Sequence, residues 1–337
     1  MKRPTIADIA RRAGVSKGAV SYALNGRPGV SEATRARILA IAKELGWRPS
    51  LAARALTGAR AHAIGLVLCR PARVLGMEPF LMELISGIEA ELSARSYALL
   101  LRVVSDHRAE LAVHRRWWGE GRVDGAFLVD LHVDDPRVPE IEMLGMPAVV
   151  IGHPSAAGSL VPVWSDDGAA VEETVAYLAA LGHRRIARVA GLPRLVHTVI
   201  RDRAFEETCR RLGVTERSII HTDHTGTEGA RATRRLLSSP DRPTAIVYDN
   251  EIMAMAGLSV AQELRIDVPS ELSIVAWDDS PLSQVVRPPL TGLTRDIPAY
   301  GAHAARRLLE LIDTGTAEPY EDEAPRLTPR GSTAPIG

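Results

Sequence analysis

The chain has 337 residues, 46% hydrophobic and 24% charged, long enough for two or three domains and too apolar for a disordered protein. Its formal charge is zero, but residues 1–60 carry twelve Lys/Arg against three acids, so a +9 segment is balanced by −9 on the remainder. Cys69 and Cys209 exclude a disulfide framework or a cysteine-rich zinc site and read as buried, reduced thiols. No run of about 18 apolar residues offers a membrane span, and no apolar segment follows Lys2 and Arg3 to make a signal peptide, so a cytoplasmic protein is expected.

The first elements are short helices. Thr5 caps a helix with apolar positions Ile6, Ile9, Ala10 and Ala13, and Gly14 breaks it, with Val15 as a buried turn residue. Ser16 caps a second helix over 17–24 with Val20 and Leu24 on one face, and residues 25–29 (NGRPG) are a dense turn signal. Ser31 starts a third helix with Ile38, Leu39, Ile41, Ala42 and Leu45 turned inward, and Gly46 ends it. Two short helices joined by a glycine turn are the helix-turn-helix arrangement, whose second helix enters the major groove N-terminus first.

That geometry makes Lys17, Gly18, Ala19 and Tyr22 the expected base-edge row. Lys17 can donate to guanine, Gly18 permits close backbone approach, and Tyr22 suits a thymine methyl or a phosphate. Ser16, Ser21, Asn25 and Ser31 are expected to position phosphates, and Thr5 completes the expected contact set. A three-helix bundle with no role on DNA is the bland alternative, and the local positive charge argues against it. Residues 50–60 (SLAARALTGAR) follow, with Ser50 as N-cap and Gly58 as stop. So short a helix folds only when docked. Arg54 suits phosphate, and Leu56 suits an apolar wedge in the minor groove. Taken alone, the segment also reads as a plain linker.

From residue 61 the pattern alternates. Strands are expected at 63–69, 99–104, 125–129 and 148–151, with helices at 80–95 and 107–119 between them. After Asp166 and Asp167 the rhythm restarts. Helices are expected at 170–181, 201–212, 227–237 and 252–264, and strands at 186–189, 218–220, 245–248 and 273–276. Such alternation means parallel sheets with right-handed crossovers, here in two doubly wound lobes, with ligands bound beyond the carboxyl ends of the strands. No phosphate-cradling glycine motif, HExxH or GxSxG is present, so neither a cofactor nor a catalytic or metal site is expected. The turn HTDHTGT, with His221 and His224, reads as a solvated loop in preference to a metal pair. Asp278 and Asp279 are sequence neighbours that point apart, a poor acid–base pair for an enzyme.

The run TIADIARRAGVS…AVSYALNGRPGVSEATRARILAIAKELGWRPSLAARAL resembles the lactose-repressor/purine-repressor family of bacterial regulators, without gaps through Leu56. The body resembles that family's sensor, which is similar to periplasmic sugar-binding proteins. The matching pieces include IGLVL, RVDGAFLV, TAIVYDNEIMA, VPSELSIVAWDDSPL and PPLTGLTRD. The likeness implies a helix-turn-helix head at 1–48, a hinge at 49–60, a first lobe at 61–163 plus 293–326, and a second at 164–292 plus 327–337. It further implies that Lys17, Gly18 and Tyr22 read bases and that Ala53, Arg54 and Leu56 enter the minor groove as a hinge helix on DNA. Many members carry Arg where Tyr22 stands. Arg201 matches an arginine that grips the effector, Asp278 an aspartate that accepts from hydroxyls, and Asn250 a pocket asparagine. Arg295 is a further pocket candidate, and Trp164 and Trp277 are possible stacking walls. Trp117 and Trp118 are expected in packing. The implied protein is a homodimeric regulator, most readily a repressor, on palindromic operator DNA, controlled by a sugar-like effector. The C-terminus carries no leucine-heptad tail, which favours a dimer over a tetramer. A carbohydrate-binding module would carry a signal peptide and no such head.

Overall fold

The computed structural model describes residues 4–47, 60–70 and 78–336. The chain divides into two compact units, Met1–Ala61 and His62–Gly337.

The small unit holds three helices among its described residues: α1 (Ile6–Ala13), α2 (Lys17–Leu24) and α3 (Glu32–Glu44). Asp8 reaches back from the first turn of α1 to accept from Thr5 N at 2.9 Å and Thr5 Oγ1 at 2.6 Å. Gly14 ends α1 at φ 68°, a left-handed conformation that glycine adopts without strain, and so turns the chain into α2. Ile9, Ala10, Ala13, Val20, Ala23, Ile38 and Ala42 form the core, with Ile6, Val15, Leu24, Ile41, Leu45 and Trp47 packed against it. Leu39 departs from expectation and is 46% exposed. The buried stripe of α3 runs through Ile38, Ile41, Ala42 and Leu45, and each residue is rotated about 100° from the last, which turns Leu39 out.

The large unit is two α/β lobes. The first sheet has the order β11-β5-β4-β3-β1-β2, built from β1 (Ala63–Cys69), β2 (Ala98–Val104), β3 (Gly125–Val129), β4 (Ala148–Ile151), β5 (Val161–Ser165) and β11 (Tyr320–Asp322), all parallel. One face is covered by α4 (Pro79–Ala94) and α12 (Ile297–Thr314), through Leu81, Leu84, Ile88 and Leu92 against Tyr300, Ala304, Leu308 and Leu309. The other face carries α5 (His107–Gly119) and α6 (Arg137–Leu144), which bury Val113, Trp117, Val138 and Ile141. Both faces being covered is why these strands are apolar runs and not alternations.

The second sheet has the order β12-β10-β9-β8-β6-β7, from β6 (Arg185–Ala190), β7 (Glu216–His221), β8 (Ala245–Tyr248), β9 (Ser273–Ala276), β10 (Thr291–Thr294) and β12 (Arg326–Thr328). Only β12 runs antiparallel. Helices α7 (Asp167–Ala180) and α8 (Val196–Arg211) pack on one face, and α9 (Gly226–Leu237) and α10 (Glu251–Glu263) on the other. A short helix α11 (Pro281–Val285) follows β9.

The sheets correct the expected lobe edges. β5 stays whole in the first sheet through Ser165, beyond the expected edge at 163/164, and β10 stays whole in the second through Thr294, beyond 292/293. A strand cannot change sheet midway without forfeiting its ladder bonds, so the chain crosses in coil. The return expected at 326/327 begins after Asp322, and β12 stops at Thr328 because Pro329 has no N–H to offer the ladder.

Candidate functional site

On the head, the outward row of α2 is Lys17, Gly18 and Tyr22, all exposed, while Ala19 and Ser21 are half-buried and Val20 and Ala23 face the core. The expected phosphate donors are partly engaged within the head. Ser16 Oγ accepts from Ala19 N at 3.1 Å and Ser31 Oγ from Thr34 N at 3.3 Å, so both act as helix caps. Asn25 Nδ2 donates to Ser21 O at 2.9 Å. Thr5 is held by Asp8. The hinge candidates Ala53, Arg54 and Leu56 lie outside the described residues.

In the body, strand ends of both lobes converge on one cleft. The structure gathers Trp164, Arg201, Asn250, Asp278 and Arg295 on its walls, together with Trp277. Trp164, Asn250, Trp277, Asp278 and Arg295 come from strand ends and their following turns in both sheets, where a doubly wound fold leaves backbone and side chains uncovered, and Arg201 comes from the second turn of α8.

Arg201 is the most constrained of these. Its guanidinium lies 3.6 Å above the Trp277 ring, takes Asp167 through Nε at 2.8 Å and Nη2 at 2.7 Å, and takes Asp249 through Nη1 at 2.9 Å. Asp249 is fully enclosed and also accepts from Arg188 Nη2 at 2.8 Å and Gly191 N at 2.7 Å. Burial opposes its charge, but Arg188 and Arg201 together hold the carboxyl far below the usual carboxylate range. Asp249 is therefore a fixed anion that aims Arg201.

Asp278 is the opposite case. It follows β9 at φ 68°, is only 8% exposed, and its Oδ1 has no hydrogen-bond partner, with Arg295 Nη2 3.5 Å away. Burial pushes its carboxyl up to about 6 despite the pull of Arg295 and Arg201. Arg295 donates to Ser165 Oγ at 3.2 Å and sits between the Phe80 and Tyr300 rings, 4.9 and 5.3 Å from their centroids. Asn250 lines the cleft, but its amide is committed: Oδ1 caps α10 by accepting from Met253 N at 2.8 Å, and Nδ2 donates to His224 O at 2.9 Å. Its neighbour Glu251 turns away to Ser280 and Ser283. Trp164 presents a half-buried ring with His153 edge-on at 4.9 Å.

Several residues of the site were not anticipated from the sequence. On the first-lobe wall Arg70 bonds Asp130 through Nη2 at 2.7 Å and Glu78 through Nη1 at 2.6 Å. Burial lifts Glu78 to about 7, whereas Arg70 holds Asp130 well below its ordinary value against the cost of burial. His197 and His224 face each other with ring centroids 6.2 Å apart, and burial lowers His197 to about 4. His224 corrects the expectation of a solvated loop. It is buried at φ 67°, and its ring lies over Gly191, where a Cβ would come within 1.9 Å of Nε2. His221 ends β7 and bonds Asp202 at 2.8 Å. Asp130, His224 and Asp278 all hold positive φ without being glycine, each at a cost of order 1 kcal/mol, and all line the same cleft. Such strain is tolerated where surrounding contacts fix it, and it concentrates at binding sites.

Similarity to known proteins fits both parts. Residues 5–50 match the family described as bacterial regulatory proteins, lacI family, and residues 175–333 match a periplasmic binding protein-like domain. The transcriptional regulator CelR of Thermobifida fusca is 32% identical over 327 residues, 94% of each chain. A crystal structure of a LacI-family transcriptional regulator from Bifidobacterium animalis subsp. lactis is 40% identical, with a TM-score of 0.77 over 83% of this chain and 100% of that one. The CelR–cellobiose complex is 29% identical, with a TM-score of 0.75 over 98% and 100% of the two chains. With a helix-turn-helix head and a two-lobed, periplasmic-binding-protein-like body, the chain belongs to the LacI family of bacterial regulatory proteins and is a DNA-binding transcriptional regulator.

Proposed function

We propose that the cleft binds a neutral, hydroxyl-rich effector of sugar type, and that this binding controls the grip of a homodimer on a palindromic operator. The observation that carries the reading is Asp278, a buried carboxylate on the cleft wall whose Oδ1 has no hydrogen-bond partner and only Arg295 at 3.5 Å, in a cleft that also holds aromatic rings. A hydroxyl donates to such an oxygen, and Trp164 offers a face to a sugar ring. A phosphate or carboxylate effector is disfavoured. Arg201 and Arg70 are already matched by Asp167, Asp249, Asp130 and Glu78, so among the described lining residues Arg295 is the one arginine left for an anion. The related CelR structure, which contains cellobiose, supports the same class.

The cleft is read as a binding site without catalysis. Asp279, the sequence neighbour of Asp278, is turned away and held by Arg330 at 2.6 and 2.7 Å, so no second carboxyl joins Asp278 to make an acid–base pair at adjacent positions. On the head, Lys17, Gly18 and Tyr22 are proposed to read bases, and the hinge carrying Ala53, Arg54 and Leu56 to enter the minor groove. Such a protein acts in the cytoplasm; among the described residues no helix is long and apolar enough to cross a membrane. The test is thermal-shift and calorimetric screening of the full chain against mono- and disaccharides, with sugar phosphates and nucleosides as competitors. A neutral sugar that raises the melting temperature of the wild type and not of Asp278→Asn supports the assignment. Stabilisation by anionic ligands alone would overturn it.

A further inference from the structure

Backbone hydrogen bonds join the two lobes at the cleft, away from the points where the chain crosses between them. Val133 N donates to Arg194 O and Val196 N to Leu131 O, both at 2.9 Å, around an antiparallel bridge between His132 and Leu195. The crossings follow β5, β10 and β11, which lie toward one end of each sheet order, whereas this clasp joins the turn after β3 to the segment between β6 and α8, further along both orders. Lobes that open about the crossings must break both bonds, so closure depends on how firmly the turn carrying His132 is held.

The first lobe holds that turn through one polar network. His132 Nε2 meets His107 Nε2 at 3.3 Å, with the rings edge-on. His107 opens α5, and its Nδ1 lies 3.1 Å from Glu110 Oε2. Glu110 is fully buried, and its other oxygen accepts from Arg137 Nη1 at 2.7 Å. Arg137 also grips Asp135 through Nη2 at 2.7 Å, and Asp135 accepts from His132 N at 2.8 Å. Backbone and side chain of His132 are thus tied to the same buried ion pairs.

Proton counting makes the ring contact conditional. Burial opposes the charge of Glu110, but His114, Arg137 and His107 hold its carboxyl below the ordinary value. An ionised carboxylate only accepts, so His107 Nδ1 carries a proton, its Nε2 is a lone pair, and His132 Nε2–H donates to it. One added proton is accommodated: His107 Nε2–H then donates, and His132 takes its other tautomer. A second sets two N–H groups and two positive rings against each other. Burial, His107, Arg137 and, from the second lobe, Arg194 all push His132 down, with Asp135 alone pulling the other way. From β1 the facing group is Cys69, half-buried where the sequence suggested a buried thiol, and kept neutral by a burial that raises it.

We propose that His107 and His132 form a proton-sensitive latch between the lobes: the clasp holds while the pair carries no more than one added proton, and protonating both rings releases it. The closed form binds fewer protons than the open one, so acid below the ordinary histidine value of about 6.5 favours opening. The consequence, weaker closure on an effector in acid, rests on the cleft reading above; the latch itself does not.

The test needs no ligand. Hydrogen exchange at the Val133 and Val196 amides of the full-length protein is followed against pH, corrected for the intrinsic pH dependence of exchange. Wild-type protection should fall about two- to tenfold from about pH 7.5 to about pH 5, the worth of one hydrogen bond. His132→Gln places an amide at the Nε2 position that donates to or accepts from His107 and takes no charge, so its protection should match wild type near neutrality and persist in acid. His132→Ala should show the low protection at both ends. The cleft carboxyls Glu78 and Asp278 titrate in all three proteins and cancel in the comparison. Wild-type protection that is flat with pH, or that falls equally in His132→Gln, would overturn the latch. Exchange that behaves as stated while no sugar binds would support the latch and overturn the effector reading alone.

Discussion

Asp249→Asn is the most incisive perturbation of the cleft, because one neutralised oxygen disturbs two buried guanidiniums at once. Asp249 accepts from Arg188, Arg201 and Gly191 with no exposure of its side chain. Removing one partner of a buried ion pair costs about 3–5 kcal/mol, chiefly through the charge left behind. Here Arg188 keeps Asp202 at 2.8 Å and Arg201 keeps Asp167 at 2.7 Å, and the amide preserves volume and one acceptor. The lower end of that range, about 3 kcal/mol, is therefore expected. At roughly 2–4 °C per kcal/mol for a body of this size, the melting temperature should fall by about 6–12 °C. Effector affinity should fall with it, since Arg201 loses the contact that aims it over Trp277. Differential scanning fluorimetry with isothermal titration of the effector reads both. A melting temperature within about 1 °C of wild type would refute the claim that Asp249 balances the two arginines.

Other outcomes follow from the same geometry. Asp278 has its carboxyl raised to about 6, so its ionised form is disfavoured in the fold, and the native state binds more protons than the unfolded chain from about pH 4 to 6. Its contribution is thus lost as pH rises through about 6, and Asp278→Asn should gain stability over wild type on going from pH 5 to pH 8, while losing effector binding. A pH-independent difference in unfolding midpoint would contradict this. Trp164→Ala should weaken a ring-stacking effector by about tenfold, consistent with aromatic contacts of order 1 kcal/mol plus lost buried area; equal affinity in titration calorimetry would remove Trp164 from the pocket. Lys17→Ala should cost about 1–3 kcal/mol on the preferred operator and relax preference at one base pair, as read by anisotropy with a substituted-operator panel. Leu56→Ala should lower specific affinity and leave salt-sensitive nonspecific binding in place, and a gel-shift titration with both unchanged would remove its wedge role.

The architecture was legible because its signals are local. Apolar runs such as Ala63–Cys69 and Ala245–Tyr248, and cap residues such as Ser16 and Ser31, announce their elements within a few positions. β5 and α6 were harder: Val161–Ser165 contains Pro162, and Arg137–Leu144 starts directly after Pro136 and contains Pro139, which blur strand and helix periodicity alike. The cleft was half legible. The family likeness pointed to Arg201, Asn250 and Asp278, with Arg295 and Trp164 as further candidates, yet the choice of Asn250 missed Asp249 beside it. Only the folded contacts show that Asp249 turns inward to two arginines while Asn250 is occupied as a helix cap. His224 was illegible for a like reason, since the space its ring occupies is made by Gly191, remote in sequence. Half-buried pairs such as Arg70–Asp130 join residues sixty positions apart and leave no periodic trace.

The central claim, that the cleft governs the grip on DNA, is tested most directly by operator binding of the full-length protein at fixed salt, with and without a saturating cleft ligand. An allosteric coupling of about 1–3 kcal/mol predicts a change in operator affinity of about 5- to 150-fold, with nonspecific affinity unmoved and the change absent in Asp278→Asn. An operator affinity that stays constant while the cleft is demonstrably occupied would contradict the account.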